Sequence, residues 1–233
     1  MSEEFNEARK KDLGMGSYSN WLFEIMLVER ELDFVIDNVM GWARPKHVDT
    51  PLIVGPAESM VLMEPFGVVV VLGSWNYPLV TTLKPLISVI AAGNTCVVKP
   101  SEMSLYSSQC LQKLIDSALD QNCFKCVQGG VETAIRATSS LVDQIIYTGS
   151  TEKGKLVAQA AAKNLVPCIL ELGGKSPMIV DKGADCVYSG VKAALGAFCN
   201  FGQTCIRPDY CLVEYTMVHK FVDELSKQLK DYD

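Results

Sequence analysis

The chain has 233 residues, of which 48% are hydrophobic and 21% charged, a composition ordinary for a folded globular protein of one or two domains. Its formal net charge of -6 at pH 7 and sequence pI of about 5.1 argue against a nucleic-acid or anionic-membrane surface, because both need clustered Lys and Arg. Residues 1–12 are polar and mixed in charge, without the apolar core of a secretory signal, so we expect a cytoplasmic protein.

The first predicted element is a long amphipathic helix that begins near Trp21 and runs to Val39. Its apolar residues recur at steps of three and four and should pack on one face. They are Trp21, Ile25, Val28, Leu32, Val35 and Val39. Residues 41–58, which contain Pro45, Pro51 and Pro56, are predicted to form an extended connector with no helical period.

Short apolar runs then alternate with helical segments. Five runs are predicted strands, at residues 68–72, 95–98, 124–127, 144–147 and 168–170, separated by helices near 78–92, 103–120, 131–139 and 152–164. Strands that are apolar on both faces and alternate with helices are typical of a parallel sheet covered on both sides, so we predict a doubly wound α/β domain. Two further runs, 178–180 and 210–213, continue the alternation, with helices at 184–199 and 217–230.

The longest uncharged stretch, residues 65–83, does not predict a membrane span. Gly67, Gly73, Asn76 and Pro78 interrupt it, and a buried strand followed by a turn and a helix accounts for it better. We therefore expect no membrane segment in this chain.

Polar residues follow several of the predicted strands, where ligands bind in open parallel sheets. Asn76 lies on the turn after the first strand, and Lys99 directly follows the second, shortly before Glu102. A lysine at this position could reach a ribose hydroxyl or a phosphate, or it could simply be solvated. Glu171 directly follows the fifth strand, close to Gly173 and Gly174, and could be a structural carboxylate or a base.

Residues 149–154 form a possible anion-binding turn after the fourth strand. Ser150 or Thr151 can cap the following helix, whose free amides attract an anion. The segment consists of Gly149, Ser150, Thr151, Glu152, Lys153 and Gly154. The GxGxxG fingerprint is absent, so taken alone a plain helix cap is the more common role.

Nine cysteines, in a chain with only two histidines, suggest buried thiols in a reducing compartment. Cys123 and Cys126 form a CxxC, but no second pair or nearby His supports a zinc site, and an incidental pair on a strand is the better interpretation. Cys205 differs because Gly202, Gln203 and Thr204 form a polar, flexible approach to it. It is either one more buried thiol or a nucleophile stabilised by amides at a helix start.

The chain resembles the aldehyde dehydrogenase superfamily, in particular its class 3 branch, from about residue 8 to its end. Five motifs carry the resemblance, in the family's order and at similar spacing. They are EPFGVVVVLGSWNYP (64–78), IAAGNTCVVKPSE (90–102), YTGSTEKGK (147–155), LELGGKSP (170–177) and FGQTCIRPDY (201–210).

The resemblance implies oxidation of an aldehyde to a carboxylic acid with NAD or NADP, without a metal. Cys205 would be the nucleophile, Asn76 an oxyanion donor together with the Cys205 amide, and Glu171 the base that activates water. Lys99 and Glu102 would bind the adenosine ribose, and residues 149–154 would flank the pyrophosphate. Both cofactors are used among class 3 relatives, and no residue here decides between them.

The resemblance also implies a domain division and a missing portion. Residues 1–170 would be a Rossmann-like NAD(P)-binding domain lacking the family's N-terminal helices, which should expose part of the Trp21 helix. Residues 171–233 would be the first part of a second α/β domain, the catalytic domain, truncated before the segment through which the family forms homodimers. We therefore expect a fragment, a truncated isoform or an incomplete gene model, with uncovered apolar surface where the sheet stops.

Two alternatives remain open. One is a catalytically inactive truncated homologue that binds a nucleotide or a partner subunit. The other is a cysteine hydrolase, which would need His47 or His219 as a partner, and neither lies in a promising turn.

Overall fold

The structure, a computed structural model, describes residues 2–230. The chain divides into two compact units, Met1–Glu171 and Leu172–Asp233. Of the helices formed by the described residues, none combines the length and the apolar character that a membrane span requires.

The first unit begins with helices. Helix α1 spans Ser2–Leu13, and a second helical run starts at Ser17 and continues to Trp42. That run consists of α2 (Ser17–Asn20), a π-helical turn (Trp21–Ile25) and α3 (Met26–Trp42). The predicted Trp21 helix is confirmed, although Trp21 and Leu32, expected on its packed face, are each 45% exposed.

Helix α1 was not among the predicted elements, the first of which begins near Trp21. Its sequence is mostly charged, but Phe5 and Ala8 are 4% exposed and join the apolar core, where α1 packs against a later helix, α5 (Leu105–Ala118). Because this apolar face is only two residues wide, the periodicity of the sequence does not reveal it.

The predicted connector contains a short antiparallel ribbon. Strand β1 (Lys46–Val48) pairs with β2 (Ser59–Val61), and a 3₁₀ turn, Leu52–Val54, lies between them. The connector is extended as predicted, but the pairing was not foreseen. Leu52 and Ile53 are 98% and 93% exposed, so nothing in the described chain covers this segment.

A five-stranded sheet forms the centre of the first unit, in the order β5-β4-β3-β6-β7. The pairs β3–β4, β3–β6 and β4–β5 are parallel. The strands are β3 (Val68–Leu72), β4 (Thr95–Lys99), β5 (Phe124–Cys126), β6 (Gln144–Gly149) and β7 (Cys168–Leu172). The helices between them are α4 (Val80–Ala91), α5, α6 (Val131–Ser139) and α7 (Thr151–Ala162). The predicted doubly wound α/β fold is confirmed.

Strand β3 supplies the core on both faces of the sheet. Val69 and Val71 pack into one cluster with residues of α4 and α5, such as Leu111, whereas Val70 and Leu72 pack into the other. Successive side chains of a strand point to opposite faces, so an uninterrupted apolar run fits only a strand covered on both sides.

The second unit is a two-stranded parallel sheet with two helices. Strand β8 (Ser176–Val180) pairs with β9 (Pro208–Val213). Helices α8 (Cys186–Phe198) and α9 (Val218–Lys230) pack together, and Phe221 is buried in the core below them. Ile179 and Leu212 are 71% and 54% exposed, so this sheet carries uncovered apolar side chains.

A buried ion pair connects the first two helical runs. Arg9 on α1 and Glu24 in the π-helical turn are both 0% exposed, with 3.4 Å between Arg9 Nε and Glu24 Oε1. Burial raises the pKa of Glu24 to about 7, although the Arg9 charge and the backbone amides of Val80 and Leu79 oppose the shift. Burial also lowers the pKa of Arg9, against the charge of Glu24. Both pKa values shift toward the neutral form because removing a charge from water is unfavourable.

The difference in burial between Leu111 and Leu141 predicts different effects of Leu→Ala substitutions on stability. Leu111 is 0% exposed between α5 and the sheet, so Leu111→Ala should lower the free energy of unfolding by about 2 to 5 kcal/mol through lost burial and a residual cavity. Leu141→Ala, at a site that is 88% exposed, should change it by less than about 0.5 kcal/mol. Denaturant unfolding monitored by circular dichroism measures both, and equal losses would contradict the assigned core.

Glu24 predicts a pH-dependent stability difference. Its pKa is about 7 in the fold against an ordinary value of 4.5, so between these values the folded chain binds the proton that the unfolded chain has lost. The free energy of unfolding of the native chain relative to Glu24→Gln should therefore fall as the pH rises from 4.5 to about 7, and then level off. Parallel urea titrations of the two proteins measure the difference, because other titrating groups cancel. A difference that rises over this range would contradict the assignment.

Candidate active site

A cleft of about 630 Å³ opens at the carboxyl ends of β3, β4 and β6, within the first unit. It brings together five of the sequence-predicted cofactor residues: Lys99, Glu102, Gly149, Ser150 and Lys153. Its volume is in the usual range for a small-molecule site, and its position is the one at which open parallel sheets bind ligands.

Lys99 is held inside the protein at the end of β4. It is 5% exposed, and its Nζ donates to Glu102 Oε2 at 2.8 Å and to the Pro100 carbonyl at 3.1 Å. Burial alone would raise the pKa of the Glu102 carboxyl, but hydrogen bonds from Lys99 and its own backbone, with the Lys99 charge, lower it. The alternative of a solvated lysine is therefore wrong. The pair presents one fixed cation and one carboxylate to the cleft.

Ser150 caps α7 at the edge of the cleft. Its Oγ accepts from the Lys153 amide at 3.3 Å, which confirms the predicted capping role. Thr151, Glu152 and Gly154 lie in the first turn of α7 but do not line the cleft. The free amides of such a turn attract anions, so the arrangement suits a phosphate group.

The contact between residue 149 and Tyr147 explains why position 149 is a glycine. A Cβ at this position would collide with the hydroxyl of Tyr147, which donates to the Ser150 carbonyl at 3.3 Å. The glycine therefore lets the Tyr147 ring fold back over the start of α7.

Sequence reasoning missed the apolar wall of the cleft. Exposed apolar side chains of α6 and α7 line it, with Trp75 from the turn after β3. The helical ones include Val131, Ile135 and Leu156, which are 66%, 56% and 55% exposed. Val131 and Ile135 are four residues apart on a short helix, and this spacing was the sign in the sequence that could have predicted the wall. Such a wall can accept a flat aromatic ring, while Lys99 and Glu102 add polar groups to the same cleft.

Asn76 lies on the turn between β3 and α4, as predicted. It is half-buried, and the hydroxyl of Ser74 donates to its Oδ1 at 2.6 Å. Thr81 supports the same turn, because its Oγ1 accepts from the Ser74 amide at 3.0 Å and donates to the Tyr77 carbonyl at 2.9 Å. The side-chain amide of Asn76 is thus oriented by a neighbour in the same turn.

Cys205 is exposed on a turn in the second unit. The chain reaches it through a 3₁₀ turn, Cys199–Gly202, in which Asn200 and Phe201 have positive φ angles of 51° and 56°. Such angles are uncommon for residues other than glycine and persist only where the surroundings impose them. The turn then leads into β9, so Cys205 lies at a turn and not at the helix start that one of the two alternatives offered.

Hydrogen bonds hold this turn in shape. Buried Asn200 donates from Nδ2 to the Gln203 carbonyl at 3.3 Å, and Gln203 returns a bond from Nε2 to the Asn200 carbonyl at 3.1 Å. The Arg207 amide donates to the Thr204 carbonyl at 3.2 Å. The residues on both sides of Cys205 are therefore fixed, although its own side chain is open to solvent.

The loop after β7 passes beside Cys205. A Cβ at Gly174 would lie 3.8 Å from the Cys205 carbonyl oxygen, and Lys175 in the same loop pairs with Asp209 at 3.0 Å. Asp209 also pairs with Arg207 at 3.2 Å. Glu171 is exposed on β7, shortly before this loop and within the first unit.

The CxxC cysteines and the two histidines lie on or next to strands and helices of the fold. Cys126 is buried on β5 and Cys123 precedes that strand, and both are free thiols. Among residues 2–230, no three His, Cys, Asp or Glu side chains gather as metal ligands would. His47 lies on β1 and His219 on α9, and both are exposed.

Comparison with known proteins gives a consistent result. The model of the aldehyde dehydrogenase family matches residues 3–233. The chain is 40% identical over 225 residues to the rat protein named aldehyde dehydrogenase, dimeric NADP-preferring, covering 97% of this chain and 50% of that protein. It is 37% identical over 226 residues to 4,4'-diaponeurosporen-aldehyde dehydrogenase of Staphylococcus aureus, covering 97% of this chain and 49% of that protein.

A solved structure shares the fold. The substrate-bound state of Staphylococcus aureus AldH superposes with a TM-score of 0.95 at 36% identity, covering 98% of this chain and 50% of that chain. The chain thus spans about half the length of the curated relatives and the solved structure that it matches.

Burial predicts the order in which the thiols react. Burial raises the pKa of both Cys96 and Cys126 to about 12, so only about one in 10⁴ of these groups is ionised at pH 8. Cys205 should be alkylated by iodoacetamide on the order of 100-fold faster than either in the native protein. Cys211 should react at an intermediate rate, because it is exposed but partial burial of its thiol raises its pKa. Peptide mapping by mass spectrometry measures the rates, and early labelling of Cys96 or Cys126 would contradict the assigned burial.

Proposed function

Because the chain belongs to the aldehyde dehydrogenase family, we propose that it oxidises an aldehyde to a carboxylic acid with NAD+ or NADP+ as the oxidant. The observation that carries the proposal is Cys205, an exposed thiol on a turn whose flanking residues are hydrogen-bonded in place. A thiol used only for packing would be buried, as Cys96, Cys110 and Cys186 are.

The cofactor fits the cleft of the first unit by the chemistry of its lining. The Lys99–Glu102 pair offers a cation and a carboxylate to ribose hydroxyls, and the capped start of α7 offers amides to a pyrophosphate. The apolar wall from α6 and α7 offers a surface to the adenine ring. In this proposal Thr151, Glu152 and Gly154 act through the position of the α7 turn rather than by lining the cleft.

The proposed reaction begins at Cys205. Its thiolate attacks the carbonyl carbon of the aldehyde, a C–S bond forms, and the carbonyl oxygen becomes an oxyanion. The side-chain amide of Asn76 and the backbone N–H of Cys205 would stabilise that oxyanion. Loss of one such donor costs about 3 to 4 kcal/mol of transition-state stabilisation.

The bound cofactor supplies an acceptor for the hydride that leaves the thiohemiacetal carbon, and this step yields a thioester on Cys205. Glu171 then removes a proton from water, which attacks the thioester carbon. The C–S bond breaks, the acid departs, and Cys205 returns as a thiolate. Aldehyde, oxidised cofactor and water are thereby converted to acid, reduced cofactor and a proton.

The same proposal includes a cytoplasmic location and pairing with a second subunit. All nine cysteines are free, as expected in a reducing compartment. The relative from rat is named a dimeric enzyme.

A second candidate is nucleotide binding without turnover. One observation favours it: every residue that lines the cleft belongs to the first unit, whereas Cys205 belongs to the second. In this candidate the first unit alone would bind the nucleotide.

One assay with the purified chain separates the two candidates. With NAD+ or NADP+ and a medium-chain aldehyde, the native chain should form reduced cofactor, and Cys205→Ser should lower the rate on the order of 10³-fold or more, because a hydroxyl is a far weaker nucleophile. Cofactor binding should be unchanged. It is measured by the change in tryptophan fluorescence that Trp75, in the cleft wall, should produce. Cys211→Ser removes another exposed thiol and should retain the native rate.

Each other outcome has a distinct meaning. Turnover that survives Cys205→Ser would overturn the proposed role of this thiol. Binding without turnover in the native chain would favour the nucleotide-binding candidate.

A further inference from the structure

The turn that carries Asn76 is held from outside by two charged side chains of the N-terminal helices. Arg9 on α1 donates from Nη1 to the Asn76 carbonyl oxygen at 3.2 Å. Glu24 accepts at Oε2 from the Val80 amide, at the start of α4, at 2.8 Å. One contact thus lies at Asn76 itself and the other at the end of the same turn.

The burial of these two charges calls for an explanation beyond stability. Both side chains are 0% exposed, and the 3.4 Å between Arg9 Nε and Glu24 Oε1 is long for a strong charge-assisted bond. A buried ion pair often stabilises a fold no better than apolar side chains of similar volume. What apolar side chains could not provide here is the donor to Asn76 and the acceptor for Val80.

Two of the contacts to Asn76 involve different polar groups of this residue. Arg9 binds the backbone carbonyl, whereas Ser74 donates to the side-chain oxygen at 2.6 Å. The Ser74 bond can orient the amide only relative to the turn. The position of the turn relative to the sheet depends on contacts from outside it, and Arg9 and Glu24 supply two of these.

We propose that Arg9 and Glu24 are positioning residues that hold the Asn76 amide in place for the reaction. The catalytic part of this inference rests on the proposed function, whereas the positional part does not. Neither side chain lines the cofactor cleft. Their loss should therefore reduce the rate of the chemical step and leave cofactor affinity almost unchanged, because small displacements of a catalytic group are costly.

The positional part can be tested by hydrogen exchange on the intact chain. In Arg9→Met and Glu24→Met, amides of residues 73–83 should exchange about tenfold faster than in the native chain, relative to residues 144–149 as an internal reference. Glu24→Gln should lie between, since its carbonyl oxygen can still accept from Val80. The double variant R9M/E24M leaves no unpaired charge and should show the full effect.

Glu31→Gln provides the matched control. Glu31 on α3 pairs with Lys84 on α4 at 2.8 Å, so this partly exposed pair connects the second helical run to α4, as Glu24 does, but both of its residues lie outside residues 73–83. Exchange in residues 73–83 should remain native in this variant. Equal acceleration of the turn and the reference segment in the double variant would overturn the proposal, since it would make the pair a general stabilising element.

Steady-state kinetics test the catalytic part. In the double variant, kcat should fall about 10-fold to 100-fold, while the cofactor Kd stays within about twofold of the native value. Native kcat together with faster exchange would overturn the catalytic part. If the native chain shows no turnover, the proposed function fails, and the exchange experiment still decides whether the two residues position the turn.

Discussion

The parallel pairing of β3 with β4 on one side and β6 on the other is the constraint on which the first unit depends. It places β3 at the centre of the sheet, where an uninterrupted apolar run is needed because both faces are covered. It also places the carboxyl ends of three strands at one edge. Lys99 ends β4 and Gly149 ends β6, and both line the cleft at this edge, whereas Asn76 lies on the turn after β3. The pairing that builds the core therefore also brings Lys99 and Gly149 to the same cleft.

Two cation–carboxylate pairs then set the details of that edge, in different ways. Lys99 and Glu102 are three residues apart, and their pairing is a local consequence of the turn after β4, with Lys99 buried and the Glu102 side chain 45% exposed. Arg9 and Glu24 come from separate helices, are both 0% exposed, and each also bonds to the turn after β3. The first pair lines the cleft, whereas the second supports the turn that carries Asn76.

Strong apolar patterns in the sequence predicted the elements of the fold well. Elements with a weak pattern, or with exposed side chains, were not predicted. Every strand of the central sheet was found from its apolar run, and the signal is clearest in β3, whose residues 69–72 are all buried. Helix α1 was missed because Phe5 and Ala8 are its whole apolar face, and the β1–β2 ribbon because its side chains are exposed. A helix start was one possible setting for Cys205, but the residue lies on a turn between Asn200 and Phe201, with their positive φ angles, and β9.

The sequence by itself determined the alternation of strands and helices, the resemblance carried by five motifs, and the identity of the candidate residues, because each depends on short segments. Only the tertiary structure decided that Lys99 is buried, that apolar side chains of α6 and α7 form the wall of a cleft, and that Arg9 reaches Asn76. Those facts depend on contacts between residues far apart in the chain. A charged residue in a polar helix such as α1 gives no local sign of the turn to which it will bind.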